Sequence, residues 1–281
     1  MQELDDYIDK VKNLPTAPKI LPELLALLEA EDVDSERVVR LIAVDPALTA
    51  NVLRLCNSAM LAGASPVGDL QEAVTRLGFK QIFQIVAATV GSQALNPAQT
   101  GYGINRGELW KHSVTSAVAA QLLAQRSGEN QTAVFTATLL HDIGKIVLTE
   151  AVEQVYAKLL EDVKDEQTTL LDAEKRLLGV QHAEVGGRLL ARWKFPASIV
   201  SAVWHHHHPA AAQPHEKLAA HVYLGNMVAY FIGHGYGHQA FAMSGRVEAL
   251  DLTGIDAATL PHLMIETLEQ LKTVEKLFNV T

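Results

Sequence analysis

The apolar residues of this chain recur with helical period from end to end, and no run alternates as a half-buried strand requires. That property confines the chain to an all-α fold in which helices bury their apolar faces on one another. Local punctuation agrees. Asp45-Pro46 puts a carboxylate at an N-cap and proline at the first helical position, ahead of Leu48, Val52, Leu53 and Leu55 on one face. Asp34 or Ser35 starts the helix before it, and Asp69 with Glu72 resembles a capping box whose helix Gly78 closes. LPTAPKILP (14–22) presets an extended lead-in to a helix through Leu24, Leu25, Leu27 and Leu28. Further helices are expected at 3–13, 81–93, 108–125, 131–142, 150–163, 168–178, 182–193, 197–206, 217–232 and in the tail at 255–279.

NPAQTGYGINRG (96–107) is polar, with proline and three glycines, and marks the expected boundary between helical units at 1–95 and 104–281. A length of 281 residues suits one large domain or two modest ones. No apolar run approaches the ~18 residues that span a bilayer, and MQELDDYIDK has no secretory pattern. The single cysteine, Cys56, excludes an intramolecular disulfide and a cysteine-based zinc site, and fits a reducing cytosol. A net charge of −9 argues against wholesale binding to nucleic acid or anionic lipid. No membrane and no direct nucleic-acid partner is expected. Twelve histidines leave imidazole as the abundant metal donor.

The histidines are organised around FTATLLHDIGK (135–145). There an apolar helical run of Phe135, Leu139 and Leu140 ends in His141-Asp142, with Gly144 expected to break the helix. An ion over the helix surface can take one imidazole nitrogen and one carboxylate oxygen from such a pair. His112, His182 and the run His205-His206-His207-His208 stand at helix ends or on helix faces, as a metal site between helices requires.

The segments LWKHS (109–113), LLHDIGK (139–145), GVQHAEVGGRLLARWKFP (179–196) and IVSAVWHHHHP (199–209) resemble the HD-domain superfamily of metal-dependent phosphohydrolases. With LPTAPKILPELL (14–25), VDPALTANVLRLCNSA (44–59) and VGDLQEAVTRLG (67–78), the chain resembles more closely the HDOD family, the HD-related output domains of bacterial signalling. The resemblance implies an HD-like bundle behind an N-terminal HDOD-specific subdomain, and a divalent ion or ions (Fe, Mn, Zn or Ni). It carries the ligand pattern onto His112, His141, Asp142, His182, His206 and His207. The family's late aspartate falls on Asn226, which offers an amide oxygen without charge. A first ion would use His112, His141, Asp142 and Asn226. A second would use Asp142, His182, His206 and His207, and that set is complete.

Two functions follow from the resemblance. One is a cytosolic regulatory module that binds a signalling protein through its front subdomain, with the metal site retained or partly vestigial and its input from a separate protein or a small ligand. The other is a metal-dependent phosphohydrolase acting on a nucleotide or cyclic nucleotide, with a nucleotide or phosphoester as ligand and Asp142 and Lys145 catalytic. Lys145 has two readings, as a neutraliser of phosphoryl charge and as a lysine favoured by a helix C-terminus. Gly101-Tyr102-Gly103 and Gly235-Tyr236-Gly237 are expected to be turns. His215, His221, His234, His238 and His262 match no motif and are expected at the surface or in the core, as is Trp204 in the core.

Overall fold

Three aspartates start helices in the front half because each lends a side-chain oxygen to backbone N–H groups that the first turn leaves unpaired. Asp34 accepts from Glu36 and Arg37 ahead of α3 (Ser35–Ala43), and Asp45 from Ala47 and Leu48 ahead of α4 (Pro46–Cys56). Asp69 accepts from Glu72 ahead of α5 (Leu70–Leu77). With α1 (Gln2–Lys10), α2 (Ile20–Leu28) and α6 (Phe79–Leu95) they form the front of the molecule. The computed structural model describes residues 2–10, 20–28, 30, 34–58, 61, 66–149, 169–236 and 246–278. The helix expected at 150–163 and most of the proline-rich lead-in lie outside the described residues.

The rear is built on α7 (Glu108–Ser127) and α13 (Glu216–Phe231), both buried on nearly every side. They cross at backbone contact. A Cβ on Gly225 would lie 2.5 Å from the Ser116 carbonyl oxygen and 2.7 Å from Ala120 Cβ. Around this pair stand α8 (Gln131–Leu139), α9 (143–149), α10 (Leu170–Leu178), α11 (His182–Arg192), α12 (Ala197–Trp204), α14 (Arg246–Thr253) and α15 (Leu260–Phe278). Among the described residues there is no strand, only an isolated bridge between Gln99 and Ile104.

One contiguous apolar core runs from Leu4 and Ile8 in the front to Leu263 and Leu271 in the rear. The 96–107 segment is packed rather than loose. Gln99, Tyr102 and Ile104 are buried, and Tyr102 sits in a short 3₁₀ turn closed by left-handed Gly103. α1 clasps α11. Arg188 donates to both Asp5 oxygens at 2.9 and 2.7 Å, Arg192 donates to Asp9 at 2.7 Å, and the Tyr7 hydroxyl donates to Leu178 O at 2.8 Å.

Gly144 overturns a sequence expectation. It does not break a helix but lies inside α9, where a Cβ would overlap the His182 carbonyl oxygen and sit 2.8 Å from Gly186 N. The missing side chain lets the start of α11 press against the turn that carries His141 and Asp142.

Candidate metal centre

The His141-Asp142 pair occupies the tight turn between α8 and α9. His141 turns its Nδ1–H back onto the Thr138 carbonyl at 2.6 Å. After α12, His206 does the same to the Val203 carbonyl at 2.7 Å. Each imidazole is pinned by the carbonyl three residues earlier, and since a carbonyl can only accept, Nε2 is left as the lone pair. On α7, His112 donates Nδ1–H to the His234 carbonyl at 3.0 Å. At the start of α11, His182 donates Nδ1–H to Glu174 at 2.8 Å. Four local environments thus impose one outcome, an Nε2 aimed inward.

What they aim at is the Asp142 carboxylate. His182 Nε2 lies 3.2 Å and His206 Nε2 3.9 Å from Oδ1. His141 Nε2 lies 3.4 Å and His112 Nε2 3.8 Å from Oδ2. His207 Nε2 is 3.0 Å from His182 Nε2. The donors therefore fall into two groups, His182 with His206 and His207, and His112 with His141 and Asp142, each compact enough for a shared ion. Asn226, on α13, is buried with its Oδ1 unpaired among the described residues. His205 and His208, beside the matched pair, are half-buried and exposed.

The electrostatics suit a cation. Burial, reinforced by neighbouring imidazoles, holds His206 and His207 well below the usual histidine range, and lowers His112 to about 3. Burial likewise lowers His141. His182 runs the other way. Burial lowers it, but the Glu174 charge together with the Asp142 and Glu174 contacts of its ring outweighs burial and raises it. Burial would raise Asp142, yet His141, Lys145 and His182 together hold it well below the carboxylate range. His112, His141, His206 and His207 are thus held neutral around one carboxylate, the protonation state that ligation needs.

The donors also fit such an ion by what they lack. His112 Nε2, His141 Nε2, His206 Nε2, Asp142 Oδ1 and Asn226 Oδ1 are buried without a hydrogen-bond partner among the described residues. Each unpaired group costs on the order of 1–3 kcal/mol, and a first-row divalent ion satisfies this nitrogen-rich set.

Three residues enter the site that motif reading passed over or placed elsewhere. Tyr236 is not merely part of a turn. Its hydroxyl donates to Asp142 Oδ2, and burial, then the Asp142 charge, pushes its pKa far up. Tyr102, from the other Gly-Tyr-Gly, donates to Glu174 at 2.8 Å. His234 supplies the carbonyl that orients His112. Lys145 does not sit at a helix C-terminus. It is the third residue of α9, in the first turn of that helix. Only 2 % exposed, it donates to Asp142 Oδ2 at 2.8 Å and to the Tyr236 hydroxyl at 2.9 Å.

The buried neutral histidines predict acid lability. A pKa below the ordinary value of 6.5 means the unfolded chain takes up protons first as pH falls. Stability from His112, His141, His206 and His207 is therefore complete above about pH 6.5 and drains below it, down to about 3 for His112. Each contributes a slope of up to about 1.4 kcal/mol per pH unit. His182, raised, opposes them singly, its contribution being lost as pH rises through its raised value. The urea midpoint of chelator-treated protein should fall clearly between about pH 7 and about pH 5. An unchanged midpoint would contradict the burial of neutral imidazoles.

A buried histidine and aspartate cluster between the helices of an all-α bundle defines the HD-like class. Within it, the HDOD domain family model matches residues 14–209, and the chain belongs to that family. A proposed phosphohydrolase of Shewanella amazonensis SB2B, known from its crystal structure, is 28% identical, with TM-score 0.74 over 98% of this chain and 96% of that one. An HDOD domain protein from Geobacter sulfurreducens is 25% identical, with TM-score 0.69 over 95% and 96%. An uncharacterised Treponema pallidum (strain Nichols) protein is 27% identical over 227 residues, 80% of this chain and 44% of that one. The chain thus spans less than half the length of the curated relatives it matches. Among the described residues no helix is long and apolar enough to cross a membrane.

Proposed function

We propose that the chain is a regulatory HDOD protein of bacterial signal transduction that acts by binding a partner protein. Its HD-type centre would hold a single divalent ion on Asp142 Oδ1, His182, His206 and His207. The observation that carries this reading is the unequal state of the two Asp142 oxygens. Oδ2 is taken by Lys145 and Tyr236, whereas Oδ1 is unpaired among the described residues and faces His182 and His206. An ion beside His112 and His141 would have to displace a buried ammonium from that carboxylate. Asn226 would bring it no charge in return. When bound, such an ion supplies Lewis acidity toward water and phosphoryl oxygen. With Lys145 turned onto Asp142 Oδ2, a single ion would act without the paired-ion clamp of two-metal phosphoester cleavage. The front helices α1–α6 are the proposed docking surface, being the part that sets this family apart from plain HD enzymes. At the turn into α4, Val44 is 82 % exposed.

Elemental analysis of untagged protein should find about one ion per chain, absent from Asp142→Ala. A panel of nucleotide and cyclic-nucleotide phosphodiesters with added Mn or Fe should remain uncleaved. The second reading, a metal-dependent phosphohydrolase, is favoured by the unpaired Nε2 atoms of His112 and His141 and by the name of the Shewanella relative. Two ions per chain, with turnover that His141→Ala abolishes, would move the conclusion to it. Activity gained by Asn226→Asp would mark a degraded enzyme.

A further inference from the structure

α10 buries Leu170, Ala173 and Leu178, and Glu174 lies in the same stripe with no exposed surface. A carboxylate there costs several kcal/mol unless its lone pairs are met. Among the described residues, donors that meet them include the Tyr102 hydroxyl at 2.8 Å, the His182 backbone N–H at 2.9 Å and the His182 Nδ1–H at 2.8 Å. Glu174 thus holds both the main chain and the ring of one residue. His112, His141 and His206 hand Nδ1–H to neutral carbonyls. His182 hands it to a carboxylate.

We infer that Glu174 is the positioning residue of the centre, fixing the His182 proton on Nδ1, turning Nε2 toward Asp142 and lending negative charge to an ion bound there. The inference rests on the single-ion reading and deepens it. A carboxylate behind a ligating imidazole raises the basicity of the ring and fixes its orientation. The His182 side of the centre therefore has two anionic groups, Asp142 and Glu174, while the His112 side has Asn226 in place of an acid. Tyr102 extends the chain of contacts. It belongs to the segment joining front helices to rear, so two successive hydrogen bonds, Tyr102 to Glu174 and Glu174 to His182, link that segment to the centre.

The test compares wild type, Glu174→Gln and Tyr102→Phe. Glutamine keeps the size but offers one acceptor oxygen to these donors, and its NH₂ asks His182 Nδ1 to accept. Affinity for Mn²⁺ and for Zn²⁺, measured by chelator competition, should fall by roughly 10- to 100-fold in Glu174→Gln. Tyr102→Phe, which leaves the carboxylate on the ring, should stay within a few-fold of wild type. Ring ¹⁵N shifts of the metal-free proteins supply a readout independent of loading. His182 Nδ1 should be protonated in wild type and in Tyr102→Phe, and should lose that signature in Glu174→Gln. Equal affinities with an unchanged Nδ1 signature would overturn the inference. So would an unprotonated Nδ1 in wild type, which decides the matter even if Glu174→Gln does not fold. Wild type that binds neither ion would instead overturn the single-ion reading, leaving the Nδ1 signature to judge Glu174.

Discussion

Asp142→Ala should lose its metal and about 3–5 kcal/mol of unfolding free energy together. The stability loss comes from what the change strands. Lys145, 2 % exposed, would keep only the Tyr236 hydroxyl as a contact from the present trio, leaving a buried cation without its counter-charge. Pairing Asp142→Ala with Lys145→Met removes both charges and substitutes apolar volume. The double variant should recover most of the lost stability while remaining metal-free. Urea unfolding of the four chains closes the cycle. Additive losses would show that the two side chains are not coupled, contrary to a 2.8 Å ion pair in a closed environment.

The helices were legible because their determinants are local. Asp34, Asp45 and Asp69 cap helices in the structure as their spacing suggests, since the cap acceptor and its donors lie two or three residues apart. The histidines could be picked out by their positions at helix ends and by family resemblance. The groups that hold them could not. Tyr236 lies ninety-odd residues from Asp142 in sequence, in a Gly-Tyr-Gly that reads locally as nothing but a turn. Gly235 is there because a Cβ would run into the Tyr230 ring, a contact no local pattern reveals. Glu174 did leave a trace, an acid standing among Leu170, Ala173 and Leu178 on the inward stripe of an amphipathic helix. That irregularity is the sequence signal most worth heeding, since a buried acid must have a partner.

The divided use of Asp142 is also a long-range effect. Lys145 is only three residues from it, a spacing that on an exposed helix gives a weak surface pair. Burial by Tyr236 and the surrounding rings converts it into a contact that competes with metal for Oδ2. The His112 ring lies edge-on to Tyr236 with centroids 4.9 Å apart, so the phenol closes the same side of the carboxylate that His112 faces. On the proposed single-ion reading, Asn226 and the Lys145–Tyr236 pair act in one direction, lowering the demand for an ion on the His112 side. The His182 side keeps Oδ1 open to nitrogen donors.

Gly144→Ala sets two effects of opposite sign against each other. Helix propensity alone favours alanine inside α9 by about 0.5–1 kcal/mol. Packing opposes it, because the added methyl would overlap the His182 carbonyl oxygen with Gly186 N 2.8 Å away. These neighbours are main chain, so no rotamer relieves them, and the start of α11 must retreat. Over-packing typically costs about 1–3 kcal/mol, and rigid backbone at the point of overlap puts this case at or above the upper end. The retreat would carry His182 Nε2 away from its 3.2 Å approach to Asp142 Oδ1, and with it the proposed metal position. Gly144→Ala is therefore expected to unfold at lower urea than wild type and to bind Mn²⁺ or Zn²⁺ far more weakly. A variant that gained stability and kept its metal would mean that α11 does not press on the His141-Asp142 turn, and the geometry of the whole centre would have to be redrawn.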